Sequence, residues 1–387
     1  MAKNIVVCCD GTGNQVEGNL SNVLKLFRMT QKDDSQRVYY NPGVGTIGGS
    51  DAWQRLKQNA EAIFGLATGY GLDAEILGAY RFIGQHYEDG DAIYLFGFSR
   101  GAYTVRAVAG FIHLVGLLRP DHLNVASYAL DSYKQASERD NLALAWDFSR
   151  IMGGRRVPIK FVGVWDTVAS VIVPRLDRIV PTLLTLPYTR TNPSVEIFRH
   201  AMAIDERRRM FRLNRWNEPQ PFVANPFDTA APPQAQDTKQ VWFAGVHCDV
   251  GGGYPETESA LSKFPLRWMV EEAAAHGLKI SDTMKNTLIF GQSRPGGKHV
   301  YVPPDAKGML HDSLTAGWKP LEWIPKAAKW REWDRKEFLG YYIPDGEPRR
   351  IADPALKPKI HQSVLDRKAQ IPDYTPVNFP DVYDVVP

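Results

Sequence analysis

Residues 92–116, AIYLFGFSRGAYTVRAVAGFIHLVG, decide how the rest of the chain is read. Ala92–Phe96 is an apolar run with the composition of a buried strand. Gly97-Phe98-Ser99-Arg100-Gly101 follows at once, and a helix-like run continues to Gly116. Gly-x-Ser-x-Gly between a strand and a helix is the pattern of a nucleophile elbow. The turn is so tight that side chains two residues either side of Ser99 would collide, so Gly97 and Gly101 meet a steric demand. Ser99 then stands out at the sheet edge, and the first amides of the helix favour negative charge developing beside it. A tight turn with an idle serine is the plain alternative.

Working outward, further apolar runs end in polar residues. Asn4–Cys9 leads into Asp10-Gly11-Thr12-Gly13-Asn14. Ile159–Val164 ends at Trp165-Asp166-Thr167, and Gln240–Val246 ends at His247-Cys248-Asp249 and a Gly251-Gly252-Gly253 turn. Helical spacing marks Ser21–Gln31, Asp73–Tyr87, Ser127–Arg150 and Pro265–His276, with Gly277 closing the last. Strands alternating with helices predict an α/β fold, a mostly parallel sheet with helices on both faces. The expected division is a catalytic domain over 1–290, with a lid-like insertion over 170–240. A Pro/Trp-rich extension over 291–387 is expected to pack on the same domain. The 170–200 part of the insertion is apolar but broken by prolines, which suits a lid, an acyl-chain wall or ordinary core.

The 387 residues suffice for a large core, and 46 basic against 43 acidic residues argue against nucleic acid as the partner. Three cysteines, two of them adjacent in an apparent buried strand, form no disulfide framework and suit a reducing compartment. The start, MAKNIVVCCDGTGN, has neither a long apolar stretch nor a small-residue cleavage site, so the chain is expected to be made in the cytoplasm. Signal-independent secretion stays open.

In open parallel sheets, chemistry gathers at the carboxyl ends of strands. Ser99, Asp166 and His247 all follow strand-like runs, in the order Ser…Asp…His. Ser99 would attack an acyl carbonyl, His247 would take and return its proton, and Asp166 would hold the imidazole. Two amides are needed for the oxyanion: Arg100, after the nucleophile, and one from the Asp10–Gly13 loop, Gly11 or Thr12. His361, late in the chain, competes for the base, and Asp166 could simply cap a helix. Asp10 and Asp249 are supporting acids, Asp249 as a turn acid that orients the Gly251–Gly253 loop. This chemistry calls for no cofactor and no metal, although an ion shared by Asp10, Asp166 and Asp249 stays open. Gly43-Val44-Gly45-Thr46-Ile47-Gly48 matches Gly-x-Gly-x-x-Gly in form, but no helix begins at its third glycine, so a flexible loop is expected there rather than a dinucleotide site.

Six ordered motifs, CCDGTGN, YYNPGVGT, GDAIYLFGFSRGAYTVR, FVGVWDTV, AIDERRRMF and VWFAGVHCDVGGGY, span about residues 3–280. Together they resemble the α/β-hydrolase family, formerly a domain of unknown function, typified by phospholipase effectors of bacterial type VI secretion. IHQSVLDR and DYTPVNFP are weaker matches in the tail. The resemblance implies an α/β-hydrolase fold and a triad on Ser99, Asp166 and His247. It also implies an ester or lipid substrate, with a delivery or immunity protein as partner if the chain is an exported effector. Such effectors are often longer, so the resemblance supports ester hydrolysis better than it supports phospholipid. The Trp/Lys-rich stretch over 318–333 suits contact with a membrane surface or a helix docked on its own domain. The expected function is therefore serine hydrolysis of carboxylic esters, with lipid acyl esters foremost. An esterase or thioesterase acting on a small soluble substrate, and a non-catalytic interaction module on a hydrolase scaffold, are the alternatives.

Overall fold

A computed structural model describes residues 2–11, 19–43, 71–138, 142–168, 172–173, 182–183, 186–224, 234–294, 296–297, 299–351 and 357–387. Eight strands form one parallel sheet: β1 (Asn4–Cys9), β2 (Gln36–Asn41), β3 (Ala92–Phe98), β4 (Ile159–Trp165), β5 (Val195–Ala203), β6 (Asp237–Phe243), β7 (Lys359–His361) and β8 (Asp384–Val386). Their spatial order is β8-β7-β6-β5-β4-β3-β1-β2. Every neighbouring pair is parallel, with Cys9 level with Gly97 and Phe98 level with Trp165.

Both faces are covered, which is why β1 and β3 are continuous apolar runs rather than alternating ones. Successive residues of β1 enter opposite cores: Ile5, Val7 and Cys9 one, Val6 and Cys8 the other. The first core is closed by α2 (Leu72–His86), α3 (Arg100–Val115), α4 (Ala126–Glu138) and α5 (Ala143–Met152). The second is closed by α1 (Asn22–Met29), α7 (Lys263–Ala275) and α8 (Asp282–Leu288), numbering a short α6 (His247–Gly251) between them. Each fully buried Val, Ile or Leu in these cores contributes about 1.5–3 kcal/mol. Helix α3 is buried along its whole length, so its sequence lacks a polar face. All three cysteines are free, with Cys8 and Cys9 buried.

Three expectations are corrected. The helical stretch 127–150 is two helices, α4 and α5. The segment 170–240 is not an insertion throughout, because β5 lies in mid-sheet between β4 and β6. Arg199 of β5 is fully buried yet ion-paired to Asp237 and Glu272, so this strand does not read as apolar. The segment after 290 also joins the main sheet, through β7, β8 and the helix α9 (Gln362–Gln370) that follows β7. Of the lid expectation, only the antiparallel pair 172–173 with 182–183 falls within the described part of 169–185. The glycine-rich loop after Gly43 lies outside the described residues. No described helix is long and apolar enough to cross a membrane.

Candidate active site

Ser99 sits between β3 and α3 with φ 56° and ψ −118°, a conformation that non-glycine residues seldom adopt. The strain is held by the packing around it. A Cβ on Gly97 would run into the backbone of Gly101 and Ala102, and one on Gly101 into the carbonyls of Cys9 and Asp10. The Ser99 amide donates to the Trp165 carbonyl at 3.1 Å, tying the elbow to the end of β4. Arg100 of the motif is buried, and its guanidinium lies 3.6 Å from Glu75 of α2.

The ends of β3, β4 and β6 bring three side chains together. The Ser99 hydroxyl donates to Nε2 of His247 at 2.8 Å. Nδ1 of His247 donates to Oδ2 of Asp166 at 2.5 Å. His247 and Asp166 are buried, and the carboxylate at Nδ1 fixes the imidazole tautomer with its Nε2 lone pair toward Ser99. Phe98 and Phe211 flank the imidazole, with ring centroids 4.7 and 4.8 Å away.

Asp166 is more tightly held than the sequence suggests. Its Oδ1 accepts from the Ala203 amide at 2.9 Å. Arg349 donates Nη1 to Oδ1 at 2.6 Å and Nη2 to Oδ2 at 3.0 Å. The same guanidinium donates to the carbonyls of Ala203 and Phe211. Burial alone would raise the Asp166 pKa, but Arg349 and His247 overcome it and hold the carboxyl well below its usual range. Burial lowers the His247 pKa, and Asp166 only partly restores it. The resting state is therefore a neutral imidazole beside a carboxylate.

Behind the imidazole, Glu206 accepts the His247 amide at 3.1 Å. Arg208 chelates Glu206 through Nε and Nη2, each at 2.9 Å, and lies 3.7 Å over the Phe211 ring. Burial opposes the charge on Glu206, but Arg208 and Arg349 bring its pKa down to about 2. Sequence reasoning gave no role to Glu206, Arg208 or Arg349. AIDERRRMF could have pointed to the first two, since an acid among arginines beside a catalytic strand is an ion-pair pattern.

The remaining candidates fall in separate networks. The Gly11 amide donates to Asp10 Oδ1 at 2.7 Å, so this oxyanion candidate is already engaged; Thr12 lies outside the described residues. The Arg100 amide opens α3 beside Ser99. Asp10 Oδ2 accepts from Ser21 at 2.5 Å and Tyr40 at 2.8 Å, joining the β1 loop to α1 and β2. Asp249 does not orient the Gly251–Gly253 loop. It accepts the Val246 amide at 3.0 Å at the head of its own helix and holds Nδ1 of His311 at 2.7 Å. Asp10, Asp166 and Asp249 thus each serve a different partner, and among the described residues no group of three or more His, Cys, Asp or Glu could hold a metal ion. His361 is buried apart from the triad, stacked on Phe243, with Nδ1 accepting the Ser363 amide at the head of α9.

Residues 3–272 match the family described as the type VI secretion phospholipase effector Tle1-like catalytic domain. An uncharacterized protein of Saccharomyces cerevisiae is 33% identical over 240 residues, which is 58% of this chain and 34% of that protein. The chain thus spans about a third of that relative's length. Among solved structures, an uncharacterized protein from Pseudomonas aeruginosa is similar at 19% identity and TM-score 0.39, over 73% of this chain and 47% of that one. A Tle1 effector bound to the VgrG spike of the type 6 secretion system is similar at 20% identity and TM-score 0.32, over 67% of this chain and 53% of the other.

Proposed function

The chain belongs to the type VI secretion Tle1-like phospholipase effector family, whose catalytic domain it carries, and from that premise we propose that it hydrolyses carboxylic esters of lipids through Ser99, His247 and Asp166. The hydrogen-bonded chain from Ser99 through His247 to Asp166, at 2.8 and 2.5 Å, carries the reading.

His247 Nε2 takes the Ser99 proton as Oγ bonds to the acyl carbon. Asp166 stabilises the imidazolium without itself being protonated. The oxyanion meets the amides at the head of α3, Arg100 first. The imidazolium returns its proton to the departing alcohol as the ester bond breaks, leaving an acyl-serine. Water then adds to the acyl carbon, giving up a proton to His247, and collapse releases the carboxylic acid and restores Ser99.

Family membership supports a lipid ester as substrate. An exported member would be made in the cytoplasm and carried by a secretion spike protein. The test is covalent labelling by a fluorophosphonate, followed by turnover of a long-chain and a short-chain ester. Labelling of the native protein and none of Ser99→Ala is expected. Native protein that stays unlabelled, or Ser99→Ala that labels equally, overturns the reading. Equal rates on both esters would favour a small soluble substrate.

A further inference from the structure

Between β6 and α6 the chain passes through Gly245-Val246-His247, where three consecutive backbone amides each meet a different carboxylate. Gly245 donates to Asp205 Oδ2 at 2.7 Å, Val246 to Asp249 Oδ2 at 3.0 Å and His247 to Glu206 Oε2 at 3.1 Å. The Gly245 carbonyl in turn accepts the Asp205 amide at 3.1 Å. Gly245 has φ 115°, and a Cβ there would lie 2.3 Å from the Cβ of Asp249. Only glycine therefore lets the acids close around the turn. The direction in which the backbone sends out the imidazole is set by these three contacts.

The acids are not held alike. Arg208 chelates Glu206, and His311 bonds Asp249. Asp205, partly buried, is held instead by a phenol: the Tyr374 hydroxyl donates to its Oδ2 at 2.8 Å. Arg207, next in sequence but one, turns away to the Gly346 carbonyl. Arg367 of α9 lies 4.9 Å from the centre of the Tyr374 ring and donates to the carbonyls of Ala306 and Gly308. Burial, with Asp249 adding to it, pushes the Asp205 carboxyl up to about 6 against the pull of the Gly245 amide, Tyr374 and Arg367.

Tyr374 belongs to DYTPVNFP, residues 373–380, a tail stretch to which the triad gives no part. Asn378 of the same stretch donates Nδ2 to the carbonyls of Ile204 and Arg349, each at 2.9 Å. Ile204 precedes Asp205, and Arg349 grips Asp166. One short segment thus fastens the supports of both His247 and Asp166.

We propose that Asp205, as a carboxylate held by Tyr374, is a positioning residue for His247, an inference that rests on the triad reading above. A charged carboxylate grips the Gly245 amide more strongly than a neutral acid does, since charge-assisted hydrogen bonds are about twice as strong as neutral ones. When Asp205 takes a proton, the turn loosens and Nε2 leaves its line to the Ser99 hydroxyl. A misplacement of about 1 Å at a reacting centre costs about 10²-fold in rate. Asp205 passes no proton to the substrate; it acts through the main chain that carries the imidazole.

The pH dependence of kcat and KM on a short soluble ester, with fluorophosphonate labelling of the same preparations, tests this. Tyr374→Phe removes a donor that favours the carboxylate. Its acid limb is expected at higher pH than the native limb, with a loss of rate that shrinks as pH rises. Asp205→Asn, uncharged at every pH, should lower kcat by about tenfold with KM unchanged, and should label more slowly. Thermal melting shows whether each variant is folded, and Tyr374→Phe alone decides the matter if Asp205→Asn is not. A Tyr374→Phe limb that coincides with the native one, a loss equal at every pH, or native kcat in folded Asp205→Asn overturns the proposal while leaving the triad reading in place. Native protein that neither labels nor turns over the ester overturns the triad reading, and this one with it.

Discussion

Arg349 donates both of its terminal nitrogens to the carboxylate of Asp166, at 2.6 and 3.0 Å, from 183 positions further along the chain. Removing the guanidinium leaves a buried carboxylate with one cationic neighbour fewer. Arg349→Met should therefore destabilise the protein by about 3–5 kcal/mol, read from denaturant melts. Arg349→Lys keeps the charge but not the fork, and should lose less. The folded pKa of Asp166 lies below its unfolded value of 3.8. Its stabilisation is thus complete above 3.8 and is lost as pH falls through the lower folded value. In Arg349→Met that acid dependence should flatten.

The lowered pKa of His247 makes a kinetic prediction. Below its folded pKa the imidazole is protonated and cannot accept the Ser99 proton. The acid limb of kcat/KM on a soluble ester should therefore fall below 6.5, the ordinary imidazole value. Arg349→Met leaves the Asp166 charge less compensated, so its acid limb should move to higher pH. A limb that does not move would confine Arg349 to a purely structural part.

Asp166→Asn should cut kcat by about 10⁴-fold, because an amide no longer holds the imidazole tautomer. Fluorophosphonate labelling should slow in parallel. Thermal melting shows whether the variant is folded, since Arg349 loses its anionic partner in the same substitution.

A Cβ on Gly251 would lie inside the ring of Phe98, the same ring that flanks His247 with centroids 4.7 Å apart. Gly251→Ala should cost about 1–3 kcal/mol in stability as the ring is displaced. Turnover should fall more than stability alone explains, because the ring that must move is one of the two that flank the imidazole. Melting and ester kinetics on one preparation separate the two losses.

Burial opposes the charge on His311, but Asp249 and Glu258 outweigh it and raise its pKa above 6.5, while Tyr254 stacks on the ring. The stabilisation is fully present below 6.5 and is lost as pH rises through the raised folded value. The gap in melting temperature between native protein and His311→Gln should be widest below pH 6.5 and should narrow above it.

Local pattern made part of this architecture legible. The elbow, the strand ends and the order Ser…Asp…His are written in short stretches whose neighbours in sequence are their neighbours in space. β5 was hidden because Arg199 and His200 are charged or polar yet wholly buried, their partners being Asp237, Glu272 and the Thr167 amide. β7 and β8 have three residues each, too few for periodicity to register. Arg349 has no local signature, since its meaning comes from a carboxylate 183 residues away. Gly11 shows the opposite failure: glycine suits an oxyanion loop, but the neighbouring Asp10 side chain takes its amide.

The order of the sheet bears on how the protein can be dissected. The family match ends at residue 272, yet β7 and β8 pair beyond β6 in the same sheet. A fragment trimmed to the matched segment would bare the backbone edge of β6 along Val241 and Trp242, where β7 now hydrogen-bonds. Open strand edges recruit other chains. Such a fragment would lack Arg349 and would be prone to self-association, so an inactive, aggregating short form would report on the cut and not on the catalytic residues.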